Sequence, residues 1–370
     1  MQETTIGGAK GASVAYELAD VSLAPAKRTR SPELIDVSWM LDAYRFDLPI
    51  LGAPLDAVTS PATAAELAAL GGLGVLNLEG LWSRYREPEE VLSEISGLPE
   101  GPDAILRLQE LYAEPVKEEL IGDRVEQLKP TGLVAGCLRP GKVEAHHRVA
   151  LEAGLDLLVV HGVTVTAQHV GTTGSEPLDL RDFTARYDIP VVVGGVFSAK
   201  SALHLMRTGA VGVLVGAEAA SVSTTEAGLG VHVPLATAIA EVAAARSRYL
   251  EESGRYVQVI VAGGVRTSGD LAKAIACGAD AVMLGQPLAA ADEAPAGGAF
   301  WGPSASHKEL PRSGFVKLET VGSIATILEG PSQREDGTVN LIGGLRRAMG
   351  VTGYESLARL RDASLVVRVR

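Results

Sequence analysis

Eight short runs of Val, Ile, Leu, Ala and Gly recur along the chain, and none of them alternates apolar with polar residues. Continuous apolar runs of this length are typical of strands buried on both faces, as in parallel sheets covered by helices. The runs are LPILGAP (48–54), GGLGVLN (71–77), TGLVAGC (131–137), DLLVVHG (156–162), IPVVVGG (189–195), VGVLVGA (211–217), YVQVIVAGG (256–264) and DAVMLGQ (280–286).

Amphipathic helical patterns lie between most of these runs. Ser or Asp stands at two expected helix starts, SAKS (198–201) and SGDL (268–271), where side-chain oxygens can accept from free N–H groups. Gly154, Gly209 and Gly278 are expected to end helices before the next strand. The helical patterns cover 61–70, 141–153, 199–208, 235–251 and 268–277.

The alternation of strands and helices predicts an α/β fold, a (β/α)₈ TIM barrel. A doubly wound open sheet is the alternative, but its Gly-rich turn normally follows the first strand. Here the Gly-rich turns follow the last three runs, which favours the barrel. We expect a single barrel domain over 1–370, with extra helices after strand two (78–130) and a long irregular segment after strand eight (287–340).

Composition narrows the class of protein. Hydrophobic residues make up 46% of the chain but aromatic residues only 4%, so the apolar residues suit buried strands and their covering helices. A net charge of −12 argues against a nucleic-acid or anionic membrane partner. There is no signal-peptide pattern and no apolar run of transmembrane length. Because Cys137 and Cys277 lie inside apolar segments, we expect reduced thiols and a cytoplasmic location.

Glycine-rich turns after the last two predicted strands indicate where a ligand binds. In a barrel, ligands bind at the carboxyl ends of the strands, and phosphate favours the loops after strands seven and eight. Gly263 and Gly264 follow strand seven, and Gly285 follows strand eight. Gly269 and Asp270 open the next helix, whose free N–H groups attract anions. These turns therefore predict phosphate binding.

The loop after strand six carries an unusual cluster of small polar residues at the same end of the barrel. EAASVSTTEAGLGVHVP (218–234) contains the hydroxyl and carboxyl side chains of Ser221, Ser223, Thr224, Thr225 and Glu226. Its position beside the phosphate turns favours a catalytic loop over a merely solvated one.

Other titratable residues fall near the barrel mouth. Asp56 follows strand one, and three histidines lie on mouth loops, where a histidine can act as a general base. A lone histidine is more often a hydrogen-bonded loop residue, and three scattered ones predict no metal site. Cys137 is expected at the mouth end of strand three, whereas Cys277 is expected to pack on a covering helix. The histidines are His161, His169 and His232.

Several segments, in order along most of the chain, resemble the inosine monophosphate dehydrogenase and guanosine monophosphate reductase family. GGVRTSGDLAKAIACGADAVMLG (263–285) is similar to its phosphate-binding segment, and VGAEAASVSTTEAGLGVHVP (215–234) to its catalytic loop. LADVSLAPAKRTR (18–30) and LPILGAPLDAVTSPATAAELAALGGLGVLN (48–77) resemble its N-terminal signatures. GGLRRAMGVTGYESLARL (343–360) resembles its C-terminal signature.

The resemblance implies a (β/α)₈ barrel, usually a homotetramer, that binds a purine nucleoside monophosphate. In the dehydrogenase a loop cysteine forms a thioimidate with C2 of the base, hydride passes to NAD, and a mobile flap then delivers water. The reductase loses ammonia and uses NADPH. The resemblance therefore implies NAD(P), admits a monovalent cation, and makes an active family paralogue a further partner. The ancestral reaction is oxidation of inosine monophosphate to xanthosine monophosphate.

Residue by residue, the phosphate positions match better than the catalytic ones. Thr224 and Thr225 match the threonines after the nucleophile, and Phe300-Trp301-Gly302 resembles the start of the segment that touches the base. Asp56 matches a family aspartate that we expect near the nucleotide. The phosphate-binding positions are matched by Ser221, Gly263, Gly264 and Gly285.

The departures fall on the reacting groups. The nucleophile's position is Ser223, whose hydroxyl is far less acidic than a thiol and needs an adjacent base. Glu226 replaces an arginine, and Ala262 replaces the carboxylate that grips the ribose hydroxyls. On the cofactor side, His161 replaces an aspartate near the nicotinamide and Gly195 replaces an asparagine.

Two larger parts of the family pattern are also missing. PSQREDGTVNLI (331–342) is too short for the flap and its Arg-Tyr pair, although Arg334 is basic. Residues 78–130 are too few and too helical for the usual regulatory pair of cystathionine-β-synthase-type modules.

Three functions remain open at this point. The first is the family's NAD(P)-dependent oxidoreduction of a purine nucleotide. The second is a non-catalytic, nucleotide-binding or regulatory paralogue, which we favour because residues that act as a unit are altered together. The third is a different reaction on another phosphorylated ligand, using Ser223, Glu226 or His161.

Overall fold

The eight apolar runs form the eight parallel strands of a closed barrel, which confirms the predicted (β/α)₈ architecture. Each strand pairs with the next along the chain, and strand eight closes the ring by pairing with strand one. The computed structural model describes residues 2–6, 8–162, 165–169, 178–216, 222, 225–306 and 314–368. Strands one to eight are Ile50–Gly52, Leu73–Asn77, Ala135–Leu138, Leu157–His161, Val191–Val196, Gly212–Val215, Gln258–Ala262 and Ala281–Leu284.

Helices cover the outside of the barrel, and the predicted helix boundaries hold to within a few residues. Ser198 caps one helix by accepting from Ser201 N at 3.3 Å. Gly154, Gly209 and Gly278 follow helices with φ of 102°, 99° and 126°. The α-helices are Pro61–Ala69, Pro88–Gly97, Pro102–Leu111, Glu118–Leu128, Val143–Glu152, Leu180–Arg186, Ala199–Met206, Leu235–Ser253, Ser268–Ala276, Gln286–Ala289, Ile324–Glu329, Leu341–Thr352 and Leu357–Leu360.

Short antiparallel strand pairs supplement the barrel, and the sequence patterns did not predict them. Their two to five residues are too few for a clear periodicity. The pairs are Gln2–Ile6 with Lys10–Val14, Val21–Leu23 with Leu365–Val367, Trp39–Leu41 with Tyr44–Phe46, Gln168–His169 with Leu178–Asp179, and Ala299–Trp301 with Phe315–Lys317.

Residues 78–130, here called the insertion, are helical as predicted, with three α-helices between strands two and three. The segment 287–340 is more regular than expected in its described part. It contributes the hairpin Ala299–Trp301/Phe315–Lys317 and the helix Ile324–Glu329, and Phe300 is fully buried. Its Gly-rich and Pro-rich composition concealed these short elements because each spans six residues or fewer.

At the opposite end of the barrel from the mouth, the start of strand eight is fixed by a buried carboxylate. Asp280 accepts from Arg246 Nη1 at 2.9 Å, from Tyr256 Oη at 2.8 Å and from Val259 N at 2.7 Å. Arg361 forms a further ion pair with the same carboxylate. This network joins strands seven and eight to a covering helix and to the C-terminal part of the chain.

Strand two approaches its covering helix so closely that it needs a glycine. A Cβ on Gly74 would lie 2.5 Å from Ala64 Cβ and 2.6 Å from Ala64 Cα. We therefore expect Gly74→Ala to lower the free energy of unfolding by about 1–3 kcal/mol through overpacking, as measured by chemical denaturation.

Two variants control this prediction. Gly97 ends the helix Pro88–Gly97, and a Cβ there would meet nothing within 4 Å, so Gly97→Ala should cause no loss. Adding Ala64→Gly to Gly74→Ala should recover part of the loss. Equal stability of the Gly74 and Gly97 variants would contradict this account of the packing.

Candidate functional site

A cavity opens at the carboxyl ends of the strands, where the barrel fold predicts the ligand site. It has a volume of about 430 Å³ including its open mouth. Ala53 to Leu55 follow strand one, and His161 ends strand four. The remaining walls come from the loop after strand six, from the ends of strands seven and eight, and from residues 302–303. The lining residues of this mouth cavity are Ala53, Pro54, Leu55, His161, Val222, Ala262, Gly263, Met283, Gly285, Gly302 and Pro303.

The structure brings together three of the predicted site residues, from strands that are far apart in sequence. Gly263, Gly285 and His161 all line the mouth cavity. Gly263 and Gly264 have φ of 87° and 75°, a conformation that favours glycine. A Cβ on Gly264 would also lie 2.7 Å from Leu235 Cδ2. The turn after strand seven therefore presents backbone, not side chain, to this end of the barrel.

His161 supplies the one polar side chain among the described lining residues. Its Nε2 is inaccessible to solvent and has no hydrogen-bond partner within the described part of the chain. Burial lowers the pKa of the imidazole from an ordinary value of 6.5 to about 4. The ring is therefore neutral at physiological pH, and it is a weaker base than the sequence alone suggests. An unpaired buried nitrogen costs free energy, which a hydrogen-bonding ligand can recover.

The helix after strand seven begins at Ser268 as predicted, but its capping residue is one position earlier. The sequence suggested that its free N–H groups, near Gly269 and Asp270, attract anions. Instead Thr267 caps the helix: its Oγ1 accepts from Asp270 N at 3.1 Å. The Asp270 carboxylate in turn accepts from Thr267 N at 3.2 Å and from Arg266 N at 3.3 Å. This capping box satisfies the N–H groups of Arg266, Thr267 and Asp270.

Asp56 is buried directly beside the mouth cavity, but protein groups occupy both of its oxygens. Oδ1 accepts from Leu81 N at 3.1 Å, and Oδ2 accepts from Tyr112 Oη at 2.5 Å and from Asn77 Nδ2 at 3.5 Å. Burial raises the pKa of this carboxyl from 3.8 to about 6, although the hydrogen bonds oppose the shift. Sequence reasoning did not identify Tyr112, because an amphipathic pattern does not show which insertion residue reaches the mouth.

The loop after strand six is only partly described. Ser221, Ser223 and Thr224 lie outside the described residues, as does the side chain of Thr225. Val222 is buried and lines the mouth cavity, and its carbonyl accepts from Gly314 N at 2.8 Å. Glu226 is exposed within a single π-helical turn, Thr225–Leu229.

Of the remaining candidates, Gly195 and His232 are not among the described lining residues of this cavity. Gly195 is buried and donates its N–H to Gly162 O at 2.8 Å. His232 Nε2 lies 2.6 Å from Glu17 Oε1, so the imidazole already has a hydrogen-bond partner within the protein. His169 belongs to a two-residue strand, and its side chain lies outside the description.

Neither cysteine has the surroundings of a nucleophile. Cys137 lies one residue before the end of strand three, and the backbone N–H of His161 donates to its sulfur. Burial and the charge of Glu79 raise the pKa of this thiol far above its usual range. Burial also raises the pKa of Cys277 to about 11. Since the thiolate is the reactive form, both residues are inert thiols in this structure.

The described residues contain neither a cluster of metal-ligating side chains nor a helix able to span a membrane. No three or more His, Cys, Asp or Glu side chains converge into a group that could hold a metal ion. Across the same part of the chain, no helix has both the length and the apolar composition needed to cross a membrane.

Comparison with known proteins gives consistent matches. Residues 15–310 match the model of the IMP dehydrogenase / GMP reductase domain. A protein of Mycolicibacterium smegmatis named "uncharacterized oxidoreductase" is 45% identical over 371 residues, covering 98% of this chain and 99% of the relative. The inosine-5'-monophosphate dehydrogenase of Methanocaldococcus jannaschii is 26% identical over 477 residues, covering 96% of this chain and 93% of the relative.

A solved structure extends the match to three dimensions. The crystal structure of an IMP dehydrogenase/GMP reductase-like protein from Corynebacterium glutamicum superposes with a TM-score of 0.93 at 42% sequence identity. The match covers 99% of this chain and 97% of the other.

Proposed function

Because the chain belongs to the IMP dehydrogenase / GMP reductase family, we propose that its mouth cavity binds a purine nucleoside monophosphate without forming the family's covalent intermediate. The observation that carries this proposal is the convergence of Gly263, Gly285 and His161 on one otherwise apolar cavity. A flat heteroaromatic ring suits such a lining, because small-molecule sites are mostly apolar with a few polar groups.

Phosphate recognition is assigned to backbone groups at the mouth. Gly263 and Gly264 have positive φ values and carry no Cβ, so a phosphate can approach their backbone closely, and Gly285 follows the next strand. Ser221 is proposed as a side-chain contact to the same phosphate. A site of this kind needs no large positive patch, which agrees with the net charge of −12.

The absence of a thiol at the loop position supports the non-covalent part of the proposal. Ser223 would need a base to become a nucleophile, and Glu226, the nearest carboxylate in sequence, is exposed in the described turn. Cys137 cannot substitute for it as a buried thiol with a raised pKa. The cavity therefore supports binding better than attack on the base.

NAD(P)-dependent oxidoreduction of the bound nucleotide is the second candidate, favoured by relatives named oxidoreductases. A nicotinamide ring fits an apolar wall beside one neutral imidazole, and we assign it to the side lined by His161, next to which Gly195 donates a hydrogen bond to Gly162. Such a cofactor, when bound, accepts or donates a hydride. His161 Nε2 would hold the ligand by a hydrogen bond, since it lacks another partner among the described residues.

Calorimetry of the full chain with inosine monophosphate, guanosine monophosphate and the parent nucleosides tests the proposal. We expect both monophosphates to bind more tightly than their nucleosides. We also expect Ser221→Ala to remove much of that difference, while Ser332→Ala, at an exposed position, leaves it unchanged. If none of these compounds binds, the proposed function is wrong.

A turnover assay distinguishes nucleotide binding without reaction from NAD(P)-dependent oxidoreduction of the nucleotide. The assay follows nicotinamide absorbance in the presence of each nucleotide. We expect no turnover by the wild type. Ser223→Cys should not create it, because the positions of Glu226 and Ala262 are altered as well and such groups act together. Turnover by the wild type would establish the second candidate, and turnover by Ser223→Cys alone would show that the nucleophile is the only defect.

A further inference from the structure

We propose that Tyr112 is a positioning residue that ties two walls of the mouth cavity together, so that the insertion is part of the ligand site. The proposal rests on the proposed function only in taking this cavity as the ligand site. The two walls are Pro54–Leu55, after strand one, and Gly302–Pro303, after the strand Ala299–Trp301.

The link consists of two hydrogen bonds through one phenol oxygen. Tyr112 Oη donates to Asp56 Oδ2 at 2.5 Å, and it accepts from Trp301 Nε1 at 3.0 Å. Asp56 directly follows Leu55, and Trp301 directly precedes Gly302. Each bonded residue is thus adjacent in sequence to a wall of the cavity. Both side chains are buried, with exposures of 2% for Asp56 and 3% for Trp301.

Tyr112 is itself held in place from within the insertion. It follows the helix Pro102–Leu111, and its carbonyl accepts from Arg84 Nη1 at 2.9 Å. The Arg84 guanidinium also lies 5.7 Å from the centre of the Tyr112 ring. A cation over the ring and a bond to the backbone both restrict the phenol. The Tyr112 hydroxyl oxygen is therefore held in one position.

Neighbouring contacts join the same two parts of the chain. The helix Pro102–Leu111 packs against the turn Pro303–Ser306. Lys317 N donates to Glu100 Oε1 at 2.6 Å, and Lys317 Nζ donates to Ser96 O at 2.7 Å. The two Lys317 bonds are exposed, whereas the Tyr112 bonds are adjacent to residues that line the cavity. Tyr112 is thus the point where the insertion can set the separation of the walls.

The test compares Tyr112→Phe with Tyr85→Phe in the full chain. Tyr85 is a matched control because its Oη also donates one hydrogen bond within the insertion, to Leu111 O at 2.8 Å, without reaching the mouth. We expect Tyr112→Phe to weaken inosine monophosphate binding by roughly tenfold, since two buried hydrogen bonds are lost next to the cavity. Tyr85→Phe should leave the affinity within about twofold of the wild type.

Hydrogen exchange provides a readout that needs no ligand. Backbone amides in 53–58 and 299–303 should exchange faster in Tyr112→Phe than in Tyr85→Phe, while those of strands five and six should not differ. Trp301→Phe, which removes the second bond and leaves the bond to Asp56 in place, should show the same change in 299–303. If the wild type binds no nucleotide, the proposed function fails but this comparison still stands. Equal exchange of both walls in the two tyrosine variants would overturn the inference.

Discussion

Replacing Asp280 with Ala is expected to lower the free energy of unfolding by about 3–5 kcal/mol, because it removes one partner from a buried ion pair. The Asp280 and Arg246 side chains are 6% and 8% exposed. Without the carboxylate, the Arg246 guanidinium and the Val259 N–H would each lose an acceptor in a buried site, and the partly buried Tyr256 hydroxyl would lose one as well. Urea denaturation of both proteins measures the effect.

An exposed ion pair provides the control. Asp362 pairs with Arg359 at 3.3 Å, but its side chain is 61% exposed. Asp362→Ala should therefore change the free energy of unfolding by no more than about 0.5 kcal/mol. A loss at Asp280 as small as the loss at Asp362 would show that the network does not stabilise the barrel.

Acidification is expected to destabilise the protein through His161. The pKa of this imidazole is about 4 in the folded protein and 6.5 in an ordinary setting, so the folded state binds fewer protons between these values. Its contribution to stability is therefore fully present above pH 6.5 and is lost as the pH falls towards 4. From the two values, the loss amounts to about 3 kcal/mol.

The measurement must separate His161 from Asp56, which acts in the opposite direction. The pKa of Asp56 is raised from 3.8 to about 6, so its contribution to stability falls as the pH rises through that range. Subtracting the unfolding free energy of His161→Gln from that of the wild type at each pH isolates the imidazole. This difference should fall by about 3 kcal/mol between pH 6.5 and pH 4. A flat difference for His161 would refute the prediction.

The barrel was predictable because its signals are local. Each strand is a continuous apolar run, and each covering helix has a period and end residues that can be read within about fifteen positions. The mouth glycines followed from the general rule that ligands bind at the carboxyl ends of barrel strands. Gly263 and Gly285 needed no more than that rule and their place after strands seven and eight.

The polar contacts at the mouth were not predictable, because they join residues that are far apart in sequence. The bond between Tyr112 and Asp56 spans 56 residues, and the bond between Tyr112 and Trp301 spans 189. Nothing in the helical pattern of the insertion distinguishes Tyr112 from Tyr85. The low basicity of His161 likewise depends on burial, which no local pattern reveals. Thr267, which caps the helix after strand seven, was missed because Ser268 and Asp270 offered equally good starts.

The link through Tyr112 also has a consequence for the order in which the chain assembles. The insertion follows strand two and Trp301 follows strand eight, so the two become neighbours only when strand eight pairs with strand one. Closing a loop of this length costs entropy that only many simultaneous contacts recover. A nascent chain that has made strands one to seven therefore has most of a barrel but no completed cavity. Competence to bind a ligand should appear in a single late step of folding, when the last strand enters the ring.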